Sequence, residues 1–136
     1  MNLLDTARRI AGLAEEEARR IGLAVTVCVV DRHGNVVLKQ RMDGALLVSI
    51  DMSERKAFTA AALDMETVAI TPLAQPGKDL YPLLAAAGGR YVALGGGVPL
   101  REGSTLHGGV GVSGGSSEQD VAVVNAAIAA FHACRA

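Results

Sequence analysis

Along the first twenty residues, apolar positions recur three and four apart: Leu3, Leu4, Ala7, Ile10, Ala14 and Ala18. Arg8, Arg9, Glu15, Glu16 and Arg19 fall between them. That spacing predicts an amphipathic helix with one face turned to a core, closed by Gly22. The period then shortens. Leu23 to Val30 and Val36 to Met42 are rich in β-branched residues, and Asp31-Arg32-His33-Gly34-Asn35 between them supplies turn chemistry, so the pair predicts a hairpin. From Leu47 to Asp64 the chain is rich in alanine, which predicts a second helix whose small side chains approach a sheet closely, with Ile50, Ala57 and Ala61 on its core face.

Pro72, Pro76 and Gly77 predict a loop, and Asp79 to Ala87 a short helical stretch closed by Gly88-Gly89. Three further strands are predicted over Tyr91 to Leu94, Val98 to Arg101 and Thr105 to Ser113. Ser116-Ser117-Glu118-Gln119 reads as a capping box opening a last helix through Val121, Val124, Ala127, Ile128 and Phe131. The order α-β-β-α-(α)-β-β-β-α, with turn-length links between strands, predicts an α/β (α+β) domain: an antiparallel sheet of five strands covered by helices. At 136 residues, with no internal repeat and no linker, the chain is expected to form one domain, 1–136.

Half the residues are hydrophobic and mean hydropathy is +0.30, so the chain is expected to fold. Thirteen basic against fourteen acidic residues, with only 3% aromatics, argue against a nucleic-acid partner, which needs clustered cations or stacking rings. No apolar run reaches the ~20 residues needed to span a bilayer. The charged N-terminal stretch lacks the pattern of a signal peptide, and two cysteines are too few for a disulfide framework, so a cytoplasmic location with no membrane association is expected.

Candidate chemistry sits in a few places. Gly109-Val110-Gly111-Val112-Ser113-Gly114 matches the spacing of dinucleotide sites, but the chain ends too soon for the second strand and acidic residue such a site requires. The physical reading of these glycines is a strand that lets another backbone, a helix or a flat ligand come close. The turn through Ser113 and Gly114 leads to a helix start near Asp120, where free N–H groups can hold a carboxylate or phosphate. His33, His107 and His132 are the strong nitrogen donors for a metal or haem iron, and His33 and His107 are the candidates. Lys56, set on the small-residue helix, is expected to pair with Asp43 or Asp31 or to bind an anionic substrate.

Taken in order, Val30-Asp31 with Gly34-Asn35, Met42-Asp43-Gly44-Ala45, Ser53 with Lys56-Ala57-Thr59-Ala60, Gly96-Gly97-Val98-Pro99-Leu100, Gly109 to Gly115 and Glu118-Gln119-Asp120 resemble the GlcG/HbpS family. That haem-degrading family includes the C-terminal domain of PduO-type corrinoid adenosyltransferases. The resemblance covers nearly the whole chain. It implies a profilin-like three-layer α/β/α sandwich with a five-stranded antiparallel sheet, a homo-oligomer built from dimers, and haem as cofactor. Two functions are therefore expected. One is a haem-binding protein, haem-degrading or redox-related, in which His33 or His107 ligates iron and the glycine-rich strand accepts the macrocycle. The other is a cofactor-free isomerase, hydratase or lyase acting on a small organic acid, with Lys56 and Asp43 as base or anion anchor and Ser113, Gly114 and Asp120 holding a carboxylate. An accessory module of glycolate, diol or corrinoid metabolism is a further alternative.

Overall fold

A computed structural model describes residues 1–135; the last position of the expected domain lies outside them. The element order is α1 (Leu3–Arg20), β1 (Thr26–Asp31), β2 (Val36–Arg41), α2 (Val48–Leu63), α3 (Thr67–Ile70), β3 (Gly97–Glu102), β4 (Thr105–Ser113) and α4 (Ser117–Arg135). Short 3-10 turns fill the stretch between α3 and β3. The four strands form one antiparallel sheet in the order β2-β1-β4-β3. Helix α2 crosses one face, and α1 and α4 pack side by side on the other, giving three layers.

Strand alternation decides which residues meet which layer. Val27, Val29, Val98, Leu100, Val110 and Val112 face α1 and α4, where they are buried with Ile10, Ala14, Val124 and Phe131. On the opposite face, Cys28 and Val30 meet Ala57 and Ala61 of α2 in a smaller cluster. Of the positions expected on the core face of α2, Ala57 and Ala61 are buried, and Ile50 is half-buried.

The glycines of β3 and β4 explain how α2 sits. Gly97 pairs with Gly111, and Gly109 and Gly111 point the same way. A Cβ on Gly97 would lie 2.4 Å from the Lys56 carbonyl oxygen. On Gly109 it would lie 2.2 Å from that of Ala57, and on Gly111 2.0 Å from that of Ser53. The backbone of α2 therefore rests on a floor of bare backbone. Of the alternatives expected for this strand, a helix is the one found: α2 occupies the face over Gly97, Gly109 and Gly111, which corrects the expectation that the glycines accept a macrocycle there.

The sheet has four strands, not the five expected. Tyr91 to Leu94 forms no ladder because side chains have taken its backbone groups: Val92 N–H donates to Thr59 Oγ1 at 3.0 Å, and Thr71 Oγ1 donates to the Ala93 carbonyl at 2.6 Å. The segment consequently lies along α2 instead of extending the sheet. Asp79 to Ala87, expected to be helical, contributes a 3-10 turn at Tyr81–Ala85. At the start of α4, Ser116 and Gln119 form the expected capping box: Gln119 N–H donates to Ser116 Oγ at 3.2 Å, and Ser116 N–H to Gln119 Oε1 at 2.9 Å.

Candidate functional site

Lys56 is held on the sheet-facing side of α2, and the partner it finds is Asp120. Its Nζ lies 2.9 Å from Asp120 Oδ2 and donates to the Val112 carbonyl at 3.0 Å; the two side chains are 3% and 2% exposed. Asp120 Oδ1 accepts from the N–H of Gly115 at 2.9 Å. One ion pair thus fastens α2, the end of β4 and the first turn of α4. Gly96 closes the space around it, since a Cβ there would stand 3.0 Å from Lys56 Nζ. Neither Asp43 nor Asp31 reaches this lysine. Asp43 is exposed and lines a charged cavity of about 480 Å³ with Glu15, Arg19 and Arg41, so the proposed Lys56–Asp43 pair is not assembled.

Ser113, Gly114 and Asp120 do lie together, but the donors meant for a carboxylate are engaged. The Gly115 N–H is bound by Asp120 and the Ser116 N–H by Gln119, while Ser113 is 6% exposed.

The two candidate histidines sit at one end of the sheet, because Asp31 of β1 pairs with Gly108 of β4. His33 is exposed in the hairpin turn, and its Nε2 accepts from Arg32 Nε at 3.3 Å. Asp31 shapes that turn: its Oδ1 accepts from the N–H groups of Asn35, at 3.0 Å, and His33, at 2.8 Å. These bonds, Asn35's foremost, hold the carboxyl below the usual aspartate range. His107 occupies a β-bulge. Leu100 pairs with Gly108 and Arg101 with Leu106, which leaves His107 without a partner on β3. Its Nε2 is buried with no hydrogen-bond partner among the described residues, 3.7 Å from Glu102 Oε1. Arg135 binds the same Glu102 and holds that carboxyl low. His132 is exposed. Among the described residues, no three His, Cys, Asp or Glu side chains gather into a metal site.

A feature the sequence did not reveal is an apolar cleft of about 380 Å³ between α2 and the segment 74–94. Its walls include Met52, Tyr81, Leu84, Tyr91, Val92 and Leu94. The outer wall is pinned at several points. Arg55 donates to the Gly89 carbonyl, and Arg90 donates to the Gly34 carbonyl at 3.3 Å. The Arg90 guanidinium also stacks 3.7 Å above the Phe58 ring, which in turn lies 5.2 Å from the Tyr91 ring. The only sequence signal was the cluster of Leu and Tyr in a stretch read as helix and strand. Two other cavities carry charged side chains: the one with Asp43, and one of about 300 Å³ in which Glu16, Glu17 and Arg20 stand beside Leu13, Ala126 and Ala130. No helix among the described residues is long and apolar enough to cross a membrane.

Comparison with known proteins places this geometry. An uncharacterized 15.0 kDa protein of the dhaT-dhaS intergenic region of Citrobacter freundii is 41% identical over 128 residues, covering 94% of this chain and 90% of that protein. The corrinoid adenosyltransferase PduO of Salmonella typhimurium is 41% identical over 119 residues, 88% of this chain; the chain spans about a third of that protein (35%). Among solved structures, Klebsiella pneumoniae protein ORFY superposes with a TM-score of 0.92 at 42% identity, over 96% of this chain and 90% of that one. The PduOC:haem complex superposes with a TM-score of 0.89 at 39% identity, over 93% and 91%. The sequence model described as haem degrading protein HbpS-like matches residues 3–129, and the chain therefore belongs to the HbpS-like family.

Proposed function

We propose that this chain binds haem, with His33 or His107 as nitrogen donor to the iron. The observation that carries the reading is the likeness to the PduOC:haem complex over 93% of the chain at 39% identity. Two features of the chain fit such a group. The buried Nε2 of His107 has no hydrogen-bond partner among the described residues, so no protein bond competes for that nitrogen. The cleft walled by Met52, Tyr81, Leu84 and Tyr91 offers the apolar surface that a macrocycle needs. When bound, haem supplies redox and ligand chemistry at iron; the protein tunes it through the axial donor, the burial and the neighbouring charges. In this chain Glu102, beside His107, and Arg32, beside His33, are the charged groups placed to do so.

Titration of the purified chain with haem, followed by Soret absorbance, is the test. A saturable shift in the wild type, weakened in His33→Ala or His107→Ala, is expected; an unchanged Soret band in the wild type would sink the proposal. Turnover is the finer reading carried by the family description. It predicts that the Soret band of the loaded protein decays when a reductant and oxygen are supplied. We also read the chain as self-associating, supported by Leu46, Leu47 and Val48 standing 61%, 80% and 56% exposed in one run. Sedimentation velocity measures this, and a monomer at micromolar concentration would remove it.

A further inference from the structure

We infer that two copies of this chain dock face to face, each inserting Leu47 into the other's cleft between α2 and the segment 74–94; the inference rests on the self-association reading above. The knob is built before any partner arrives. Ser49 is buried, its hydroxyl donating to the Leu46 carbonyl and accepting from Thr26 Oγ1 at 2.7 Å. Leu47 already has helical dihedrals, φ −53° and ψ −41°, and is 80% exposed. Leu46, Leu47 and Val48 are therefore held outward on a fixed backbone, which lowers the entropy that a contact through them costs.

The recess that matches the knob stands one helical turn away. Val48 and Met52, four residues apart, share a face of α2, and Met52 walls the cleft with Tyr81, Leu84 and Leu94. No residue lining the cleft carries a charge, and neither do the three of the knob, so nothing of like sign opposes a second copy. Because knob and cleft lie on one face, the contact is self-complementary. When one chain's knob enters its partner's cleft, a two-fold axis returns the partner's knob to the first cleft, and the assembly closes at two.

The area is of the right size. Tyr81 is 48% and Leu94 46% exposed, and with Leu46, Leu47 and Val48 they present on the order of 600 Å² of apolar surface, against the ~800 Å² that each partner buries in a stable interface. An uncharged apolar centre is also the composition of a homodimer contact. Other exposed apolar side chains are scattered, Leu4 and Ile21 at the two ends of α1 and Val36 at the start of β2. The candidate iron donors lie elsewhere. Ser49 is bonded to Thr26, the first residue of β1, whereas the turn that carries His33 follows Asp31, its last, and His107 precedes the Gly108 that pairs with Asp31.

Sedimentation velocity of the full chain and its variants is the test. Leu47→Glu, at the knob, and Leu94→Glu, in the cleft, are each expected to split the wild-type species into one of half its mass or less at the same micromolar concentration, with unchanged far-ultraviolet circular dichroism. Leu4→Glu, on α1 across the sheet, is expected to keep the wild-type mass. In a Cys134→Ser background, where the remaining Cys28 is buried, an oxidised mixture of Leu47→Cys and Leu84→Cys chains is expected to yield a disulfide-linked pair with one chain of each kind. Wild-type mass in both glutamate variants, or Leu47→Cys chains that cross-link only to one another, overturns the docking and leaves self-association standing. Wild-type mass in Leu94→Glu together with a tenfold loss of haem affinity assigns the cleft to the macrocycle and likewise overturns the docking. A wild type that sediments as a monomer removes both.

Discussion

Lys56 and Asp120 stand 64 residues apart in the chain and 2.9 Å apart in the fold, in an ion pair almost wholly out of water. Desolvating two charges costs several kcal/mol, which the pair recovers only through its added bonds to the Val112 carbonyl and the Gly115 N–H. Removing one partner strands the other. Lys56→Met or Asp120→Leu alone should destabilise the protein by about 3–5 kcal/mol in urea unfolding, whereas the double variant should recover most of that loss. Additive losses in the double variant would show that the two side chains do not act as a pair.

The glycine floor makes a prediction of opposite signs at two positions. Gly111→Ala drives a Cβ into the Ser53 carbonyl and should cost about 2–3 kcal/mol by prising α2 from the sheet. Gly12 lies in the exposed interior of α1 with nothing within 4 Å of an added Cβ, so Gly12→Ala should stabilise by about 0.5–1 kcal/mol through helix propensity. Thermal or urea denaturation of the two variants side by side measures both.

Cys28 and Cys134 should differ sharply in reactivity. Cys28 is buried between the sheet and α2, and desolvation pushes its thiol up to about 12, so at pH 8 only about one molecule in ten thousand carries the thiolate. Cys134 is exposed on the last turn of α4. Ellman's reagent should titrate one thiol per native chain and two in denaturant; rapid labelling of both in the native protein would contradict the burial of Cys28.

Acid should loosen the β1–β2 hairpin through Asp31. Its folded carboxyl is held below the usual range by the Asn35 and His33 N–H groups, so its contribution to stability is complete above the unfolded value of about 4 and is lost as pH falls through the lowered folded value. Asp31→Ala should therefore be less stable than wild type at pH 7, with the gap closing below pH 4. A gap independent of pH between 7 and 2 would mean that the charged form has no special role in the turn.

Local signals carried much of this fold. The 3.6-residue period of Leu3 to Ala18 produces α1. The alternation of valines with glycines from Thr105 to Ser113 produces β4 with those bounds, and Ser116 with Gln119 starts α4, because periodicity, strand propensity and capping act within a few residues. What depended on distant partners was decided only in three dimensions. Tyr91 to Leu94 has the composition of a strand, yet Thr59 and Thr71 take its backbone groups and turn it into a wall of the apolar cleft. Lys56 could be placed on a helix, but no local pattern names Asp120 as its partner. His107 could be named as a candidate donor from its residue type, but only the register shift of β3 against β4 leaves its Nε2 buried and without a hydrogen-bond partner among the described residues. The sequence by itself determined the long helices, four of the strands and the family; burial, register and long-range hydrogen bonds decided the rest, because each depends on residues far apart in the chain.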